Sequence, residues 1–176
     1  ISMDNLSLIT NFLFFTVVYS IPLLYGTVGE ILTEKSGSLN LGVEGTMAVG
    51  GIFGYLVGAS ADSLFLGMVF AFVLAALLGL LFSFLTVTMQ ANQNVTGLTI
   101  TTFGTGLYFI VRQGVKEITP LLRLTKMKAA VNSLYIKGLS DIPIIGKVLF
   151  QQNILVYFGI FIALIVWAYL KFTKSG

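Results

Sequence analysis

The chain has 176 residues, of which 56% are apolar and only 10% charged, with a formal net charge of +3, and its mean hydropathy is +0.96. Soluble globular chains carry about 25% charged residues, so this composition excludes an ordinary soluble domain and marks an integral membrane protein. Cysteine and histidine are both absent, which excludes disulfide scaffolds, the usual zinc sites, and Cys-His or Ser-His-Asp catalysis. The basic excess is concentrated in one region and forms no stripe for nucleic acid.

Charge is costly at the bilayer centre, so long uncharged intervals locate the spans. They run over 5–29, 45–61, 63–111 and 148–170. A helix needs about 20 residues to cross about 30 Å of hydrocarbon. About five spans are expected, at 7–32, 41–60, 64–89, 94–112 and 153–172. The polar run Gln90-Ala91-Asn92-Gln93-Asn94 divides the longest interval. The apolar runs are continuous and do not alternate, which favours an all-α, polytopic helical bundle over a β-barrel.

The first span follows Asp4 rather than a basic segment and is too long for a cleavable signal peptide. Pro22 lies inside it and is expected to kink it. Glu30 and Glu34 are four apart beside Lys35, the pattern of a solvated helix end. The second span opens on SGSLNLGVEG, 36–45, whose three glycines and short polar side chains make a poor helix. Either it is an interfacial loop with Glu44 in water, or it is a discontinuous helix whose freed backbone lines a polar cavity. Gly50, Gly54 and Gly58 then recur every four residues, a small-residue face for close helix packing.

The connection 113–150, with Arg112 at its edge, carries seven of the ten basic residues, Lys126 and Lys128 among them. Its apolar stretch DIPIIGKVLF, 141–150, is short and reads as re-entrant or surface-lying. Basic residues near the ends of 153–172 mark its boundary.

No G-x-x-x-x-G-K-S/T motif occurs, so this chain binds no ATP by a P-loop. No lysine falls within the uncharged intervals to serve a buried serine, Lys171 standing only at the end of the last span, which argues against an intramembrane hydrolase. An enzyme is therefore not expected, and a transporter, a passive channel or a scaffold subunit remains. Polar groups within the bundle are Asn40, Glu44, Asn92, Asn94, Thr96, Thr99, Thr101 and Thr102. Amides and hydroxyls suit a neutral, hydroxyl-rich solute. The threonines equally suit bonds to their own helix backbone.

Two segments carry a resemblance. VGEILTEKSGSLNLGVEGTMAVGG, 28–51, and LTVTMQANQNVTGLTITTFGTGL, 85–107, resemble the two marked segments of bacterial ABC-transporter permeases of the ribose and branched-chain amino-acid type. The match is closest to the simple-sugar and nucleoside branch, where G-x-L-N-L-G-x-E-G and R/Q-A-N/D-Q-x-V/I-S/T-G recur at this separation. IPIIGKVLF, 142–150, before the last span also fits.

The resemblance implies the membrane half of an ATP-driven importer of a simple sugar or nucleoside, multi-pass in the bacterial inner membrane. Its expected partners are a second permease subunit, identical or not, cytoplasmic ATPase subunits that bind the ATP, an extracytoplasmic solute-binding protein, and membrane lipid. No cofactor is expected in this chain itself. It places Asn40, Gly42, Glu44 and Gly45 in the broken-helix motif, and Asn92, Gln93, Thr96 and Gly97 in the second. Asn40, Glu44, Asn92, Asn94 and Thr96 are the expected pathway or gate residues. Gly42, Gly45 and Gly97 shape the motif backbone, and Gly50, Gly54 and Gly58 pack helices. Glu44 alternatively favours a helix start after the break. Family permeases are nearly twice this length, so residues 1–176 read as one permease domain, its N-terminal portion, without the coupling helix. A cytoplasmic C-terminus then puts 113–150 outside, where Lys126 and Lys128 would meet carboxylates of the binding protein or snorkel to lipid phosphates.

Overall fold

The structure is a computed structural model that describes residues 3–118, 131–135, 137–140, 142 and 144–173. The described elements are helical: α1 (Met3–Lys35), α2 (Val43–Ser60), α3 (Leu64–Ser83), α4 (Gln93–Ile118), the short α5 (Ile145–Phe150) and α6 (Ile154–Phe172). Among the described residues there is no strand, only an isolated antiparallel bridge between Ser133 and Asn153. Packing divides the chain into two compact units, one of residues 1–28 with 131–176 and one of residues 29–130.

Three helical stretches are long and apolar enough to cross a membrane on their own composition, Ser7–Lys35, Leu64–Thr88 and Ile154–Phe172. Their surfaces are inverted relative to a soluble protein. Phe72 and Leu80 on α3, and Phe161 and Leu164 on α6, are more than half exposed, as expected where lipid is the solvent. This is an integral membrane helical bundle. The five long helices follow the five expected spans in order, but α2 is diluted by glycines and α4 by amides and hydroxyls.

In the unit of residues 29–130, α2 packs on both α3 and α4. A Cβ on Gly54 would lie 2.7 Å from Ala71 Cβ, and one on Gly67 would lie 3.1 Å from Gly58 Cα. Gly50 sits over the Ala71 carbonyl. The small residues thus let the α2 and α3 backbones approach where no hydrophobic effect drives them together. Ser63 caps α3 by accepting from Leu66 N. The helix then loosens into a π-helical turn at Phe84–Thr88, closed by Met89 N donating to Phe84 O.

Helix α4 runs to Ile118, beyond the expected span end at 112. The penalty that ended the expected span belongs to lipid, and arginine, lysine and glutamate are good helix formers in water. Arg112 stacks over Tyr108 at 5.9 Å, a cation-aromatic pair suited to a membrane edge.

In the other unit, Pro22 lies inside α1 without ending it. Tyr25 donates its hydroxyl to Leu155 O at 2.9 Å, and its ring covers Gly159. Helix α5 has six residues, too few to cross, consistent with the short apolar stretch around it. Gln152 is buried between α5 and α6, donating to Val148 O while its backbone carbonyl accepts from Leu134 N. Asn153 caps α6 by accepting from Val156 N. At the far end of α6, Lys171 lies 4.8 Å from the Trp167 ring centre, an interfacial anchor. Lys126 and Lys128, the expected docking pair, lie outside the described residues.

Candidate functional site

The site grows from the way α1 ends. Gly37 adopts φ +87°, and Ser38 N bonds Thr33 O while Gly37 N bonds Glu34 O. This is a Schellman motif, in which a left-handed residue turns the chain out of the helix and satisfies its last carbonyls. The next helix does not begin until Val43. Residues 36–42 therefore form a non-helical break between two apolar helices.

An irregular backbone inside a membrane protein needs its polar groups satisfied by protein. Here side chains do this residue by residue. Leu39 N donates to Gln93 Oε1 at 2.9 Å. Asn40 N donates to Glu30 Oε1 at 2.8 Å. Gly42 N donates to Asn40 Oδ1 at 2.9 Å, a local turn within the break. Leu41 O accepts from Thr101 Oγ1 at 2.7 Å. Gly42 O accepts from both the backbone and the hydroxyl of Thr46. The break is strapped between the end of α1 and the start of α4.

Glycines set the closeness of this strap. A Cβ on Gly97 would stand 2.7 Å from Leu41 N, and one on Gly42 would stand 3.2 Å from Gly97 O. One turn further along, a Cβ on Gly45 would be 2.6 Å from Thr101 Cα, and one on Gly104 would be 2.7 Å from Gly45 Cα. These are backbone-to-backbone contacts that no side chain could enter. The two sequence motifs, about fifty residues apart, thus form one structural unit.

The expected site residues fall into distinct places. Asn40 Oδ1 is committed to the break's own backbone. Asn92 Oδ1 accepts from Val95 N and starts α4. Thr96 is buried on α4 and lines, with Leu78, Leu81, Leu85 and Ile100, an apolar groove of about 310 Å³. Glu44 and Asn94 are exposed in the first turns of α2 and α4. The α2 N-terminus has no side-chain cap bond, and Glu44 stands in its first turn, where a carboxylate complements the helix dipole. Thr99 and Thr102 bond their own helix carbonyls at i−4. Thr101 does not; its hydroxyl crosses to the break.

Glu30 differs from its sequence expectation. It is half-buried, and its carboxylate faces the break instead of forming a solvated end with Glu34. The orphan N–H of Asn40 draws it in, because an unmet backbone donor there is costly. Glu34 and Lys35 are exposed as expected. Gln93, Thr101, Gly104 and Glu30 complete the site. Gln93 sits inside the second motif, whereas Glu30 had no local signal beyond being a carboxylate ahead of a break.

These features define an integral membrane protein built around a strapped break between helices. Over residues 12–176 the chain matches the family model described as the branched-chain amino acid transport system permease component, and it belongs to that family. It is 30% identical to a guanosine ABC transporter permease protein of Bacillus subtilis, over 99% of this chain and 56% of the relative. It is 28% identical to a nucleoside ABC transporter permease protein of Lactococcus lactis, over 91% of this chain and 51% of the relative. A Haloferax volcanii protein named provisionally as a glucose ABC transporter permease is 30% identical, over 92% of this chain and 48% of the relative. The chain spans about half the length of these curated relatives. No solved structure matches it significantly.

Proposed function

We infer that the chain forms part of the membrane permease of an ATP-driven importer for a nucleoside or simple sugar. The observation that carries this reading is the strapped break. An otherwise apolar helical protein keeps an irregular backbone and commits Glu30, Asn40, Gln93 and Thr101 to its hydrogen bonds. Discontinuous helices of this kind mark transport sites. The relatives named for guanosine, nucleoside and glucose transport point to a neutral solute rich in hydroxyls.

On this reading the helices α1–α4 and α6 are the five crossings, and alternating access moves a solute past them. Glu44 and Asn94 supply exposed polar groups to the pathway or its gate. Asn40, Asn92 and Thr96 shape the wall that presents them, and Gly42, Gly45 and Gly97 hold that wall close-packed. ATP chemistry belongs to partner ATPase subunits, solute delivery to an extracytoplasmic binding protein, and the other half of the pathway to a second permease subunit.

The test is genetic. Cells lacking the complete permease gene should lose uptake of labelled guanosine or of a labelled simple sugar, and the restored gene should recover it only with its ATPase. Recovery without any ATPase would identify a passive channel. Unchanged uptake of both solute classes in the deletion would contradict the solute assignment.

A further inference from the structure

Glu30 is used by neither sequence motif as an expected pathway residue, yet it fastens the break from the α1 side. Its Oε1 accepts the Asn40 N–H at 2.8 Å. Its Oε2 is buried and, among the described residues, meets no hydrogen-bond donor. Among the described residues, the bonding of this carboxylate to the break is thus carried by one oxygen, at the reach a glutamate side chain gives it. The opposite side of the break is held by Gln93 and Thr101 of α4. Asn40 lies between the two attachments, and its own side chain sets the turn that leads into α2.

We propose that Glu30 is a positioning residue whose side-chain oxygen, through its reach and not through its charge, holds the break on α4 so that the end of α1, the break and α4 act as one body. The inference deepens the permease reading and rests on it for its transport consequence only. Its structural consequence is separable. Ile100 is buried, and a Cβ on Gly42 would lie 3.2 Å from Ile100 Cβ, so the break roofs that side chain. Lifting the break uncovers it.

The experiment uses the complete permease in native membranes. Residues 1–176 contain no cysteine, so once any cysteine elsewhere in the complete permease is replaced by serine, Ile100→Cys can serve as the reporter and its labelling by a water-soluble maleimide be timed. Glu30→Gln keeps an oxygen at the same reach and removes the charge. Glu30→Asp keeps the charge and withdraws the oxygen by one methylene. Glu30→Asp and Glu30→Ala should speed labelling about three- to tenfold, the change in opening that loss of one hydrogen bond produces. Glu30→Gln should label at the parent rate. In the assembled transporter, Glu30→Gln should also restore the uptake that Glu30→Ala loses, at equal membrane abundance. Fast labelling in Glu30→Gln with slow labelling in Glu30→Asp would show that charge is what matters and overturn the proposal. Parent-rate labelling in all three variants would show that Glu30 does not hold the break. Labelling needs neither ATP nor solute, so a wrong solute assignment leaves this result intact.

Discussion

Gly45 and Gly104 are in mutual contact through backbone atoms, with a Cβ on Gly45 falling 2.6 Å from Thr101 Cα. Backbone cannot swing aside as a side-chain tip can, so Gly45→Ala must push α2 from α4. Overpacking of this kind costs about 1–3 kcal/mol. Gly106, on the same helix, has open space where its Cβ would be, and Gly106→Ala should gain up to about 1 kcal/mol from helix propensity. Thermal unfolding of the detergent-solubilised permease should rank the two variants on opposite sides of the parent. Thr101→Val keeps the shape and removes the donor to Leu41 O. It should cost about 0.5–1.5 kcal/mol in the same measurement, whereas Thr102→Val, whose hydroxyl only bonds its own helix, should cost less. At this scale the glycine positions were legible, since a motif with glycines at 37, 42 and 45 asks for special backbone. The partners were not. Leu39 meets Gln93 across 54 residues and Leu41 meets Thr101 across 60, and no local pattern encodes such a pairing. Glu30 was misjudged for the same reason. Its spacing to Glu34 and Lys35 is that of any solvated helix end, and only the tertiary position of Asn40 N turns it inward.

Among the elements, the bounds set by lipid cost and those set by backbone chemistry differ. Helix α6, and α3 taken together with the π-helical turn that carries it on to Thr88, begin and end close to their expected spans, because uncharged apolar runs decide both. Helix α4 overshoots by six residues, because Arg112 to Ile118 can remain helical in the interface. The π-helical turn at Phe84–Thr88 had no separate signal within a continuous uncharged run. The end of α1 depends on Gly37 at φ +87°, with nothing within 4 Å of its would-be Cβ. Gly37→Ala therefore meets no neighbour and pays only backbone strain, about 1–2 kcal/mol. Gly37→Asn should recover part of that loss, since asparagine tolerates the left-handed region. Unfolding of the two variants beside the parent checks the order. If Gly37→Ala proves neutral, the break does not depend on this helix stop.

For the whole molecule, membrane residence follows from composition alone, and the structure adds how a break survives within it. Family membership rests on a match over 12–176, and the strapped break gives that match a physical meaning: the two segments most marked in the sequence are the two that touch. The packing into two compact units was not legible, because no polar linker or composition shift announces a boundary inside α1. The central claim is that this break belongs to the pathway of an ATP-driven importer of neutral, hydroxyl-rich solutes. It is tested most directly by reconstituting the complete transporter in proteoliposomes and measuring binding-protein-dependent uptake of labelled guanosine, with glucose and leucine as alternatives. The account predicts uptake of guanosine or glucose that requires ATP, is not competed by leucine, and falls when Glu44 and Asn94 are replaced together by alanine. Uptake of leucine alone, or solute flux that proceeds without ATP, would contradict it.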